Sequence, residues 1–257
     1  MIDINKIEKE FDKYTSNYDP NIPRISLKIN HIKRVVKNCE RIAKSLNLNN
    51  EEISLAMAIG FFHDIGRFEQ VRIADTFSDR DSKINHGEYG VKVLFEDGLI
   101  RNFIQENKYD NIIKAAVLNH NRAEIEDGLI DKELLFSKII RDADKLDIFY
   151  TLTIESFPAI FWYKDFSVEK IDDIVFNEFR NHKLLEYKNI HNNADQILIF
   201  YAYIYDLNFK DSLKILKEKK YLDKFTDRVL EHFPSKVVHN QMKEVSIIYH
   251  EFFNNAN

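Results

Sequence analysis

The run Ala56 to Arg67, AMAIGFFHDIGR, is apolar enough to be buried, yet it holds the adjacent pair His63 and Asp64. An ionised carboxylate in such a setting costs several kcal/mol unless it is ion-paired, hydrogen-bonded or bound to a metal. A cation beside the pair is the leading explanation, and the other histidines and aspartates of the chain test it. His31 lies at the edge of an apolar stripe, above Val35; His86 stands near the start of a helical pattern; His120 follows Ala116 by four residues, which turns it inward. Asp144 falls four residues after Ile140 and four before Ile148, so a carboxylate interrupts a stripe that should face the core. Each of these alone has an ordinary structural explanation. Together, His31, His63, Asp64, His86, His120 and Asp144 are nitrogen and oxygen donors on or beside inward positions of successive helical segments, the arrangement from which helical proteins build metal sites.

The segments that must position these donors read as helices throughout, and the fold class is all-α. Only 6 glycines and 4 prolines occur in 257 residues, so turns are rare and long helices are favoured. Residues 2–18 carry Ile2, Ile4, Ile7, Phe11, Tyr14 and Tyr18 at mostly three- and four-residue steps, and Pro20 and Pro23 end that helix. Lys28 to Leu46 forms a clear amphipathic stripe. Asn49 or Asn50 caps the next helix, which is apolar on nearly every side to Phe62 and should be central, with Gly66 expected to stop it. From Arg67 to Asn85 the helical period is lost; this stretch reads as a long loop or an irregular crossing supplying Arg67, Arg72, Arg80 and Lys83. Asp110 and Asp131 read as caps of two later helices.

In this order and setting the donors resemble those of the HD-domain metal-dependent phosphohydrolases, whose pattern is a His, an adjacent His-Asp pair on a later helix, and a distal Asp; here these are His31, His63-Asp64 and Asp144. Two further histidines between the pair and the last Asp, matching His86 and His120, resemble the binuclear branch, which includes cyclic-dinucleotide phosphodiesterases and dinucleoside tetraphosphate hydrolases. The resemblance spans Arg24 to Tyr150. It implies an HD-domain helical bundle holding the metal-binding core at 24–150, with additional C-terminal helices over 151–257 packed on it. It also implies two divalent transition-metal ions, with Asp64 bridging them, His31, His63 and Asp144 on one, and His86 and His120 on the other. Mixed His and carboxylate ligation suits Fe, Mn, Co, Ni or Zn better than Mg or Ca. Two cations about 3.5–4 Å apart generate hydroxide near neutral pH and neutralise charge building on a phosphoryl oxygen. Arg67 and Lys145 are candidates for phosphate contacts, although a salt bridge within RDADKLD accounts for Lys145 equally well.

The expected activity is hydrolysis of a phosphoester or phosphoanhydride in a small nucleotide-like substrate. A di-iron oxygenase on the same ligand set and a nucleotide-binding sensor without turnover are the alternatives. The chain has HDIGRF and no Gly-Tyr-Pro triplet, which argues against a cyclic-dinucleotide substrate.

Composition narrows the partners. A net charge of −5 with no long Lys/Arg block gives little reason to bind duplex nucleic acid. No apolar run approaches the ~20 residues needed to span a bilayer, and the start MIDINKIEKEFDKY lacks a signal-peptide core, so neither membrane nor export is expected and the chain is placed in the cytoplasm. The single Cys39 excludes an internal disulfide and reads as a small core hydrophobe. The aromatic runs FPAIFWYKDF and QILIFYAYIYDLNF are core or interface by nature, which leaves a homodimer open. Without a Gly/Ser-rich linker or an internal repeat, residues 1–257 are expected to form one continuous helical domain. His182, His191, His232, His239 and His250 read as surface or boundary residues.

Overall fold

The computed structural model describes residues 2–255, and among them there are helices and no strand. No described helix is long and apolar enough to cross a membrane. The chain divides into two compact units, the first ending at Asp147 and the second beginning at Ile148.

The first unit is assembled around two touching helices, α2 (Pro23–Ser45) and α3 (Asn50–Phe62). Pro23 opens α2 at its first helical position, where the missing N–H costs nothing and the ring presets φ. Ile25, Ile32, Val35, Val36, Cys39, Ile42 and Ala43 then recur at helical spacing on the buried face, and His31 lies among them. Asn49 starts α3 through a capping box with Glu52, satisfying backbone donors at both positions. A Cβ added at Gly60 would lie 3.0 Å from Val36 Cα and 3.3 Å from Cys39 Sγ, so the absence of a side chain there lets α2 and α3 meet at backbone distance. Cys39 is fully buried at that contact. Before these, α1 (Ile4–Thr15) buries Ile7 and Phe11, and Phe11 meets the Phe61 ring at 5.3 Å between centroids.

Beyond α3 the structure departs from the expected long loop. Gly66–Ala74 is a helix, α4, and Asp79–Ser82 a short one, α5. Only Phe68 and Val71 give α4 an apolar face, too little for a period to show; the segment is held by tertiary contacts of Phe68, Gln70 and Val71, all buried. Gly66 begins α4 rather than ending α3 by a left-handed turn. A Cβ on it would lie 2.4 Å from the His86 carbonyl oxygen and 2.7 Å from Gly90 N, so the residue is there for close packing of α4 against α6 (His86–Val91).

A π-helical turn, Lys92–Glu96, and α7 (Ile100–Phe103) lead to α8 (Asp110–Asn119). The cap position of α8 is Tyr109; Asp110 is instead the first helical residue and takes an ion pair from Arg101. Helix α9 (Asp131–Ile154) opens at Asp131, whose φ of 43° is left-handed, and carries Phe136, Ile139, Ile140, Ala143 and Leu146 buried.

The second unit holds α10 (Phe157–Ile160), α11 (Asp173–Arg180), α12 (Asn193–Ala202), α13 (Lys210–Lys219), α14 (Tyr221–His232) and α15 (Lys236–Asn255). Its aromatics are mostly core: Tyr201 packs at 5.6 Å on both Phe225 and Tyr249, and Phe157, Phe161 and Phe233 are buried. Three buried polar residues on α12 fix the irregular stretch before α11, Gln196 accepting from Trp162 N, Asn193 from Tyr163 N and Asp195 from Asp172 N. Four of the five later histidines are exposed, and His239, half-buried, lies 2.6 Å from the Phe233 carbonyl.

Candidate metal centre

Four helices and one inter-helix turn deliver donors to a single buried point. His31 comes from the middle of α2; His63 and Asp64 occupy the turn between α3 and α4; His86 is the first residue of α6; His120 follows the last residue of α8; Asp144 lies on α9. Asp64 is at the centre and its two oxygens face different histidine pairs. Oδ2 lies 3.4 Å from His31 Nε2 and 3.3 Å from His63 Nε2, while Oδ1 lies 3.4 Å from His86 Nε2 and 3.6 Å from His120 Nε2. Asp144 Oδ1 joins the first pair, at 3.1 Å from His31 Nε2 and 3.8 Å from His63 Nε2. Two donor groups result, His31/His63/Asp64 and Asp64/His86/His120, all buried and sharing Asp64. The family model of the HD domain matches residues 29–148, the stretch that holds all six of these residues.

Residues 29–148 are an HD domain. The buried clusters of histidine and aspartate in this HD domain are consistent with a binuclear metal site. No similar curated protein and no similar solved structure was found for the chain.

The outer nitrogens of the four imidazoles show that a cation fits. His63 Nδ1 is 2.8 Å from the Gly60 carbonyl and His120 Nδ1 is 2.7 Å from that of Val117; a carbonyl only accepts, so each Nδ1 carries its hydrogen and Nε2 presents a lone pair inward. His31 Nδ1 donates to Asp147 Oδ2 at 2.7 Å and His86 Nδ1 to Asp79 Oδ2 at 2.7 Å. The inner nitrogens then face each other, His31 and His63 at 3.3 Å, His86 and His120 at 3.0 Å. Between His86 and His120, both neutral, two lone pairs turn on one another beside a carboxylate, which a metal ion would relieve. On the other side His31 Nε2 carries a proton that an ion would replace, and outer hydrogen bonds of this kind fix the ring orientation a ligand needs.

Electrostatics agree with that reading in the HD domain. Burial pushes the His86 imidazolium down to about 3, helped by Arg67 and opposed by Asp79, and burial also lowers His120. These two are neutral near pH 7 and ready to ligate. His31 goes the other way: burial and Lys28 lower it, but Asp144, Asp147 and Asp64 outweigh them and hold it up at about 10, so an ion entering there takes the place of a proton. Burial raises the carboxyls of Asp64 and Asp144, yet the surrounding cationic groups, Lys28 first for Asp64 and His31 first for Asp144, keep both below the usual carboxylate range.

The outer partners were only partly visible beforehand. Asp147 follows Asp144 by three on α9, hence on the same face, and also accepts from Arg34 Nε at 2.6 Å. Asp79 stands in the stretch expected to be a loop and gathers Arg67 (2.7 Å), Gln70 (2.8 Å) and His86 around one carboxylate. Arg141, fully buried on α9, donates to the carbonyls of Asn119, Arg122 and Ala123 and so holds the chain on both sides of His120. Lys28 was missed although it sits one turn before His31; its ammonium is 2.6 Å from Asp64 Oδ2. Of the two expected phosphate contacts, Arg67 places Nε 3.6 Å from Asp64 Oδ1 with no hydrogen-bond partner, while its NH1 is taken by Asp79, Gln70 and the Phe77 carbonyl. Lys145 is buried on α9 next to Asp144.

Asp147→Asn is expected to weaken one ion and spare the other, because the carboxylate it removes holds only His31 among the six donors. A fall of roughly 10–100-fold in the affinity of one of two sites is the predicted size. Competition of the variant against a chelator of known affinity measures it; equal weakening of both sites would contradict the division of ligands.

Proposed function

We propose that the chain is a metal-dependent phosphohydrolase acting on a phosphoester or phosphoanhydride of a small, nucleotide-like substrate. The observation that carries this is the convergence of four imidazole Nε2 atoms on the two oxygens of Asp64, with Asp144 completing the first group. The donor set fits two divalent transition ions, with Fe, Mn, Co, Ni and Zn all compatible with mixed His and carboxylate ligation. Once bound, such a pair supplies a nucleophile from water near neutral pH and neutralises charge building on phosphoryl oxygens. The protein's own residues do the rest. Asp64 would be the shared ligand, Asp147 and Asp79 hold His31 and His86 with Nε2 turned inward, and the four histidines and Asp64 are buried away from bulk water.

Arg67 is proposed as a phosphate contact because its unpartnered Nε lies beside the Asp64 carboxylate while NH1 anchors the guanidinium. Lys145 is proposed for the same task on its place next to Asp144. The substrate is proposed to be a free small molecule rather than duplex nucleic acid, in keeping with the net charge of −5.

The test is a panel of nucleoside mono-, di- and triphosphates, cyclic nucleotides and an aryl phosphate, each with Mn, Fe, Co, Ni and Zn under nitrogen. Release of phosphate or of a nucleotide without oxygen is the expected result. A product formed only with dioxygen and iron would replace this reading by the oxygenase, and tight nucleotide binding with no turnover under any metal would replace it by a sensor.

A further inference from the structure

Two cationic side chains, Lys28 and Arg67, approach the two oxygens of Asp64, and they are not equivalent. Lys28 Nζ lies 2.6 Å from Asp64 Oδ2, the oxygen that faces His31 and His63, and its side chain is only 13% exposed. Arg67 Nε lies 3.6 Å from Asp64 Oδ1, the oxygen that faces His86 and His120, and its guanidinium is anchored through NH1 to Asp79, Gln70 and the Phe77 carbonyl. One oxygen of the shared carboxylate thus carries a direct ammonium contact and the other a longer approach from a cation braced elsewhere.

We infer that Lys28 is the counter-ion an incoming metal must displace from Asp64 on the His31/His63 side, so that Lys28 sets how tightly that half of the site holds its ion. The inference rests on the metal reading proposed above. An ammonium at hydrogen-bond distance in a buried setting is strongly attracted to the carboxylate, and a divalent ion competes for the same oxygen. The like charges also repel, so ion and ammonium cannot both stay there unshielded. The donor count of that half, with Asp144 added to His31, His63 and Asp64, favours tight binding; Lys28 works against it. The displaced ammonium has somewhere to go. Nζ already lies 5.2 Å from the Phe77 ring centroid, so the ammonium keeps a cation–π partner when it gives up the carboxylate, and its four-carbon stem is flexible. Lys28 acts through Asp64 and is a positioning residue.

The experiment is a titration of metal-stripped protein with Mn2+, free ion being read by electron paramagnetic resonance, on the wild type, Lys28→Met and Lys28→Gln. The expected result is that both variants bind one of the two ions more tightly, on the order of tenfold or more, with the other unchanged. The gain should persist in the double variant Lys28→Met/His120→Ala, which keeps only the His31 side. A second readout is thermal unfolding. Without metal, Lys28→Met should melt below the wild type because Asp64 loses its buried partner, and saturating Mn2+ should raise its melting temperature by more than it raises the wild type's. Lys28→Gln keeps a donor for Asp64 and decides the matter if the methionine variant does not fold when stripped. Unchanged or weaker binding of both ions in folded Lys28 variants would overturn the inference alone, whereas failure of the wild type to bind Mn2+ at all would overturn the metal reading beneath it.

Discussion

Asp64→Ala is expected to be the most damaging single substitution for metal content, weakening both positions at once and leaving less metal per folded chain than the loss of any other one donor. Asp64 is the one residue whose oxygens face both histidine pairs, Oδ2 toward His31 and His63 and Oδ1 toward His86 and His120. Its removal leaves His31, His63 and Asp144 on one side and two histidines on the other, and neither set keeps an anion between the positions to hold two cations close together. The fold should survive, since the apolar faces of α2, α3 and α9 are untouched, and circular dichroism checks that before the metal is counted. Full retention of metal in the folded variant would show that Asp64 does not bridge.

His120→Ala should divide the site instead of weakening both positions. The His31, His63, Asp64 and Asp144 donors are complete without it, so about half of the wild-type metal is expected to remain, while the other position is left with His86 and one oxygen of Asp64, fewer than the three or four protein donors such ions usually take. Activity on any substrate found by the panel should fall to a small residue, because the chemistry proposed needs both ions. Elemental analysis and turnover are read on the same sample. Loss of metal equal to that of Asp64→Ala, or unchanged turnover, would contradict the assignment of His120 to one ion alone.

Much of this site could be read from the sequence because metal donors in a helical protein must sit on inward positions, and inward positions recur at helical spacing. Asp144 between Ile140 and Ile148, and His120 after Ala116, betray themselves as polar interruptions of such stripes, and the structure brings both to the Asp64 centre. The all-helical fold followed from the same periodicity and the scarcity of glycine and proline. What could not be read was held by contacts between segments. Helix α4 has Phe68 and Val71 on its apolar side and no more, and its order comes from Gln70 and Arg67 reaching Asp79, Ser82 and Ile84 some nine to fourteen residues on. Asp79 therefore looked like one charge among many in a polar stretch, although it orients His86. Gly66 was misread for a related reason: glycine's value at a helix end is conformational, but here it is steric, set by the approach of α6. In the second unit the aromatic runs announced a core, but the buried Asn193, Asp195 and Gln196 that fix the stretch before α11 carry no pattern that separates them from surface residues.

The most direct test of the binuclear centre is the number of metal ions per folded wild-type chain after anaerobic loading with excess Fe2+ or Mn2+ and removal of unbound ion, measured by elemental analysis against protein concentration. Two donor groups sharing Asp64 predict a stoichiometry that rises above one and approaches two. A value that stays at one under saturating metal would contradict the account, and His86 and His120 would then have to be reassigned from metal ligation to contact with substrate.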